Sequence, residues 1–258
     1  MAHISYSELK IWNECPFKHK LIYIDKAKEF QGNEYTAFGR SIHSVCENLL
    51  KGSLREEDCD DFFDGMFDRE LEQLGESYKK RENLITDMRE QAKTLSPLIL
   101  PQVDKYFGDY EVFSIEEKLF EEISDFLLDN FMFKGYIDLV LKTPDGKYHI
   151  IDWKSCSWGW DAKKRSDRMI TYQLTLYKKF FCQKHNIDPK MVETHFALLK
   201  RTANKNNVEI FRVTSGPKKT TNACNLLNKA LVHISKSNHV KNRLSCKGCE
   251  FYKTQKCP

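Results

Sequence analysis

Apolar residues recur at helical spacing up to Gly108 and at strand spacing for a long stretch after it. Ser7 is placed to cap a short helix carrying Leu9, Ile11 and Trp12, which Pro16 interrupts before "FKHKLIYI" resumes. "TAFGRSIHSVCENLLKG" reads as an amphipathic helix, with Ile42, Val45, Cys46, Leu49 and Leu50 inward and Gly52 as its stop. Ser53 and Glu56 make a capping-box pattern at the start of an acidic helix that Gly75 closes. A further helical stretch runs from about Leu84 to Phe107, where Pro97 and Pro101 predict a break or kink.

After Gly108 the period shortens. "YEVFSIEEKLFEEI" reads as a strand, and "FMFKGYIDLVLKTPDGKYHIIDWKS" as two strands joined at Pro144-Asp145-Gly146, a turn signal between β-rich runs. "RMITYQLTLYKKFFCQKHN" returns to helical spacing, "THFALLKR" and "VEIFRV" predict two more strands, and "TNACNLLNKALVHISKS" a last helix. No internal repeat or low-complexity linker interrupts this order.

With 258 residues, 41% of them hydrophobic, the chain can bury a substantial core. No apolar run approaches the roughly 18–20 residues that span a bilayer, and "MAHISYSELK" lacks the apolar core of a secretory signal, so the expected compartment is the cytoplasm. Charge is polarised: from Ala197 onward 13 Lys or Arg face only Glu209 and Glu250, whereas "REEDCDDFFDGMFDRELEQ" is strongly acidic. A basic end of this kind suits a polyanion such as nucleic acid, although solvated lysines explain many such clusters.

Nine cysteines in a long chain with no export signal predict reduced thiols rather than a disulfide scaffold. Cys46, Cys59, Cys156, Cys182 and Cys224 stand singly and read as packing or inert thiols. Cys246, Cys249 and Cys257 differ: C-x2-C-x7-C within "SCKGCEFYKTQKCP" has metal-ligand spacing, but a closed tetrahedral site needs four ligands.

Asp138 in "KGYIDLV" and Asp152 in "IIDWKS" lie on the two arms of the predicted hairpin, and Lys154 shares a strand face with Asp152. Two carboxylates can hold a hard divalent cation, Mg2+ or Mn2+, while a lysine positions water or offsets phosphate charge; phosphodiester cleavage needs both, because its transition state gathers negative charge. A lone D-x-K is commonly a surface ion pair. The apolar setting of "YIDLVL" and "HIIDW" argues otherwise, since buried carboxylates need compensation.

With these residues the sequence resembles the PD-(D/E)XK nuclease superfamily, in particular its RecB-like exonuclease branch. Gly135 to Asp138 match a G-x-x-D strand, Asp152 to Lys154 the D-x-K strand, Gln173 and Tyr177 a Q-x-x-x-Y helix, and Gly39 and His43 an upstream G-x-x-x-H helix. An acid on the strand before G-x-x-D also belongs to the pattern; Glu116 and Glu117 both qualify, and Glu116 is preferred. The resemblance implies that His43, Asp138, Asp152 and the main-chain carbonyl of Trp153 bind the metal. It further implies that Lys154 orients or activates water, and that Gln173 and Tyr177 align the lysine or the DNA backbone. A depressed lysine pKa would let Lys154 act as a base.

The implied fold is α/β: a restriction-endonuclease-like core with a mixed sheet of about five strands flanked by helices. The chain would be a single domain, with a helical lobe (1–108), a catalytic sheet and helix (109–215), and a C-terminal helix and cysteine tail (216–258). The implied activity is metal-dependent DNA cleavage, exonucleolytic on single-stranded or unwinding ends, in repair, recombination or phage DNA metabolism. The setting would be the cytosol of a bacterium or phage-infected cell, with a helicase or recombination partner. Structure-specific endonuclease action, RNA as substrate, and a non-catalytic DNA-binding scaffold are the alternatives. In "SCSWGWDAKKRSDR", Trp158 and Trp160 could stack on unpaired bases while Lys163, Lys164, Arg165 and Arg168 follow phosphates; the other reading is a tryptophan pair packed on the core. Finally, AddB-type and CRISPR-associated RecB-like nucleases carry a 4Fe-4S cluster held by one cysteine before the nuclease motifs and three after them. Cys15, in "NECPFKHKL", matches the first, so Cys15, Cys246, Cys249 and Cys257 would hold the cluster, with structural zinc as the alternative.

Overall fold

The structure, a computed structural model, describes residues 2–27, 32–75, 78–123 and 131–258. Its strands are β1 (Ala2–Ser5), β2 (Glu111–Glu122), β3 (Phe131–Lys142), β4 (Tyr148–Cys156), β5 (Val192–Lys200) and β6 (Val208–Val213). Its helices are α1 (Tyr6–Glu14), α2 (Pro16–His19), α3 (Glu34–Leu50), α4 (Cys59–Glu72), α5 (Glu82–Leu95), α6 (Ile99–Phe107), α7 (Ala162–Ser166), α8 (Arg168–His185) and α9 (Pro217–Ser235). The strands form one mixed six-stranded sheet, so the protein is α/β with helices on both sheet faces.

Three local expectations are corrected. The polar start contains a strand, β1, which pairs parallel with β3 through Ala2 to Ser5; Ile4, 1% exposed, is the apolar residue that anchors it. Ser5 rather than Ser7 caps α1, its side chain accepting from the Glu8 N–H at 3.1 Å. The Ser53–Glu56 capping box does not form: the Ser53 hydroxyl turns back to Asn48, and Glu56–Asp58 make a separate 3-10 turn before α4. Elsewhere the signals hold. Pro97 sits in a 3-10 turn that separates α5 from α6, and Pro101 falls in the first turn of α6, where its missing N–H costs nothing.

Two apolar layers sandwich the sheet. Leu9 of α1, Phe180 and Phe181 of α8 and Leu227 of α9 bury one face together with Phe133 and Val140. Phe38 of α3, Phe63 and Phe67 of α4 and Met88 of α5 bury the other, against Leu139, Ile151 and Trp153. Cys46, Cys59 and Cys182 are buried in these layers, as packing residues should be. Among the described residues, no helix is long and apolar enough to cross a membrane.

Candidate active site

The site begins where a strand pair separates. β2 runs along one edge of β3; on the other edge β1 pairs with Phe131 to Lys134 and β4 with Leu139 to Lys142. The four residues between, Gly135 to Asp138, are left without a strand on that side. β4 meets β3 only as far as Ile151, and from Asp152 to Cys156 it pairs with β5 alone. A main-chain N–H released from a ladder needs another acceptor. Asp138 supplies it, its Oδ2 accepting from the Trp153 N–H at 2.7 Å.

That separation gathers the D-x-K residues and their helix. Asp152 is 1% exposed; its Oδ2 lies 2.5 Å from the Lys154 ammonium, and its Oδ1 accepts from Gln173 Nε2 at 2.7 Å. Gln173 Nε2 also reaches Tyr177 Oη, one turn along α8, at 3.2 Å. On the other side His43 of α3 brings Nδ1 to 3.8 Å from Asp138 Oδ2. Both motif glycines mark close approach. A Cβ on Gly135 would stand 2.9 Å from the Tyr177 ring, so α8 docks this closely because that side chain is absent, and one on Gly39 would stand a tight 3.2 Å from Ser155 Oγ.

Electrostatics follow from burial. Burial and the nearby Asp138 charge push Asp152 up to about 6, against the pull of Lys154. Burial raises Asp138 as well. Burial and the Lys154 charge drive His43 down to about 4, which leaves a neutral imidazole, the ligand form. For Lys154 burial pulls downward, but the charges of Asp152 and Asp138 outweigh it and its pKa rises above the ordinary value. The condition under which Lys154 would act as a base, a depressed pKa, is not met here: beside two carboxylates it is held as an ammonium.

Glu116 sits opposite Asp138, between the pairs Ile115–Leu139 and Glu117–Ile137, and takes a left-handed φ of 51°. It lines a small pocket with His43, Glu47, Asp138 and Trp153, and burial with the Asp138 charge raises it to about 7. Glu117 faces α8, bound to Lys184 at 2.6 Å and His185 at 2.8 Å. Glu47 escaped the sequence reading. Its signal was its place four residues after His43, one turn along the same helix face.

These groups fit a hard divalent cation. The donors are carboxylates and one neutral imidazole, and Asp152 Oδ2, buried, has no hydrogen-bond partner, only the contact with Lys154. Trp153, 2% exposed, borders the same pocket as Glu116.

The residues expected to contact DNA divide. Trp158 is 78% exposed, and Lys163, Lys164 and Arg168 are exposed as well. Trp160 is 8% exposed, packed edge-on against Phe196, and Arg165 ties the loop down through the Trp160 carbonyl at 2.9 Å and Glu209 at 2.7 Å. Stacking on Trp160 would require unpacking the core, so the packed reading applies to that residue.

At the far end of the chain, Cys15, Cys246, Cys249 and Cys257 line one small pocket of about 30 Å³. Polar links hold the tail there: the Asn242 N–H donates to Cys15 Sγ at 3.3 Å, Asn242 Nδ2 to the Glu14 carbonyl at 2.8 Å, and the Phe17 N–H to the Val240 carbonyl at 3.2 Å. None of the nine cysteines forms a disulfide.

The fold has a counterpart among solved structures. The crystal structure of a protein named "Putative exonuclease" from Eubacterium rectale superposes with a TM-score of 0.62 at 16% identity, covering 99% of this chain and 90% of that one. A second structure, SSO0001, reaches a TM-score of only 0.39 at 15% identity, over 95% of this chain and 92% of that one. No curated protein matches the sequence. The family model of the PD-(D/E)XK nuclease superfamily matches residues 3–254, essentially the whole chain, and the protein belongs to that superfamily.

Proposed function

We propose that the protein is a metal-dependent deoxyribonuclease, acting as an exonuclease on single-stranded or unwinding DNA ends in repair, recombination or phage DNA metabolism. The observation that carries this reading is the meeting of Asp138, Asp152 and Lys154 at the separated strand pair, with a buried Asp152 Oδ2 turned to the Lys154 ammonium. His43, Asp138, Asp152 and the Trp153 carbonyl would hold Mg2+ or Mn2+, and Glu116 is the accessory acid. The cation would supply positive charge to the scissile phosphate and ease deprotonation of the attacking water. Gln173 and Tyr177 fix the Asp152 carboxylate, and the Lys154 ammonium donates toward water or a phosphate oxygen. Trp158, Lys163, Lys164 and Arg168 offer a stacking face and cations to an unpaired strand.

Cys15, Cys246, Cys249 and Cys257 would bind a 4Fe-4S cluster that fastens α1 and α2 to the C-terminal tail. Their common pocket supports this, and the exonuclease name of the structural neighbour supports the exonucleolytic reading. Purified anaerobically, the protein should be brown and should degrade end-labelled single-stranded DNA with manganese or magnesium but not with EDTA. Asp152→Ala and Lys154→Ala should abolish the products. Intact protein that cleaves no DNA in any metal would sink the nuclease reading; colourless protein with zinc and no iron would replace the cluster by zinc.

A further inference from the structure

We propose that His149, Glu193 and His195 form a second metal site, separate from the acidic cleft, for a divalent transition ion of the zinc class. The three come from adjacent parallel strands. His149 of β4 is the register partner of Glu193 of β5, and His195 lies two residues beyond Glu193, so all three side chains leave the same sheet face. One ligand atom from each lies within 4.8 Å of the other two. The site stands three residues before Asp152, roughly 10 Å back along β4.

The ring nitrogens are arranged as ligands. His149 Nδ1 faces His195 Nε2 at 3.1 Å. Two imidazole nitrogens at ~2.0–2.1 Å from a tetrahedral zinc stand about 3.3 Å apart. The other His149 nitrogen fixes the tautomer. Thr143 Oγ1 lies 2.5 Å from Asp145 Oδ1, an acceptor for its proton, and with that proton so placed it accepts from His149 Nε2, 3.0 Å away. His149 Nδ1 is thus a bare lone pair aimed at His195. A carboxylate–hydroxyl–imidazole chain of this kind is the outer support that ligating histidines ordinarily have.

The alternative, a simple hydrogen bond between the rings, places the His195 proton on Nε2. In either state His195 Nδ1 has no hydrogen-bond partner among the described residues, in a ring 2% exposed: it is a bare acceptor with the inter-ring hydrogen bond and a bare donor when Nε2 ligates, so this atom does not decide between the two. Both rings are kept neutral by burial, His195 down to about 3. Glu193 completes the set from an open pocket it shares with Asp145 and Arg212, which leaves the fourth position to water. Two imidazoles and one carboxylate favour zinc-class ions, whereas the oxygen-rich cleft around Asp138 favours magnesium or manganese. Glu193 now shares Oε1 with Arg212 at 3.4 Å and Lys147 at 3.8 Å, so an entering cation must displace these partners.

The test is cobalt and zinc binding by the full-length protein after chelator treatment. Read as the difference between wild type and His195→Gln, so that metal held by the thiolates of Cys15, Cys246, Cys249 and Cys257 cancels, cobalt should give visible d–d bands without thiolate charge transfer, and His195→Gln should bind about one equivalent less zinc. Thr143→Ala, which leaves all three ligands in place, should weaken zinc at this site about 10–100-fold; Arg212→Gln should tighten it. Circular dichroism identifies any variant that fails to fold, and the Thr143 and Arg212 variants carry the test in that case. Equal zinc stoichiometry and identical cobalt spectra in wild type, His195→Gln and Thr143→Ala would overturn the proposal. None of these readouts depends on DNA cleavage.

Discussion

One methyl group placed on Gly135 tests the contact between the sheet and α8. Gly135 has no left-handed φ, so alanine is allowed by the backbone and the perturbation is purely steric. Its Cβ would stand 2.9 Å from Tyr177 Cε1 and 3.3 Å from Phe133 Cε1. Restoring an ordinary contact of 3.4 Å moves the tyrosine by at least 0.5 Å. Tyr177 is 7% exposed and hemmed in by the core, so relief must come from α8 as a whole or from an off-rotamer ring. Overpacking of this kind costs about 1–3 kcal/mol, which in a chain of this size lowers Tm by roughly 2–12 °C. The activity effect should be larger than the stability effect. Tyr177 is linked to Gln173, and Gln173 holds Asp152 Oδ1, so the shift reaches the carboxylate; a misplacement approaching 1 Å can cost on the order of 100-fold. The assay is thermal unfolding beside single-turnover cleavage of end-labelled DNA, for wild type and Gly135→Ala. Unchanged Tm together with unchanged rate would refute the argument that this glycine sets the depth at which α8 docks.

Asp152→Asn should reduce cleavage by at least on the order of 10²–10³-fold in saturating manganese while Tm holds or rises, since it removes a buried carboxylate; a large loss of Tm would point to a structural role instead. Phe133→Ala removes a ring that is fully buried and stacked on Phe180 with centroids 4.3 Å apart, and should cost about 3–5 kcal/mol in denaturant unfolding. Glu34, bonded to Arg81 and Tyr78, has its pKa lowered to about 2, chiefly by Arg81. A depressed folded pKa gives stability that is present above the ordinary carboxylate pKa of about 4.3 and lost as pH falls toward 2, so Glu34→Gln should flatten that acid limb of the unfolding free energy. Trp158→Ala should weaken single-stranded DNA binding by about 1–3 kcal/mol with no change in Tm; equal affinity would remove Trp158 from the DNA path.

What is local could be read from the order of residues. Periodicity set the elements after Gly108 because each strand or helix must present one apolar face, and the Pro-Asp-Gly turn fixed the hairpin. Asp138, Asp152 and Lys154 could be placed from the hairpin alone, whereas His43, Gln173, Tyr177 and Glu116 were reached through the family resemblance. Strand β1 was not legible: four residues with one core side chain carry too little pattern, and their pairing with β3 exists only once β3 is folded. Nor could the chain order choose between Glu116 and Glu117, which point to opposite faces; the cleft lies on one side and α8 on the other. The sign of the Lys154 shift was set by two carboxylates, one of them from another strand, and the separation of Trp160 from Trp158 by Phe196 and Phe211. The cluster of His149, Glu193 and His195 belongs to the same class, because it depends on which strand lies beside β4. Coulomb forces, desolvation and close packing act between residues distant in the chain, so only the tertiary structure could decide them.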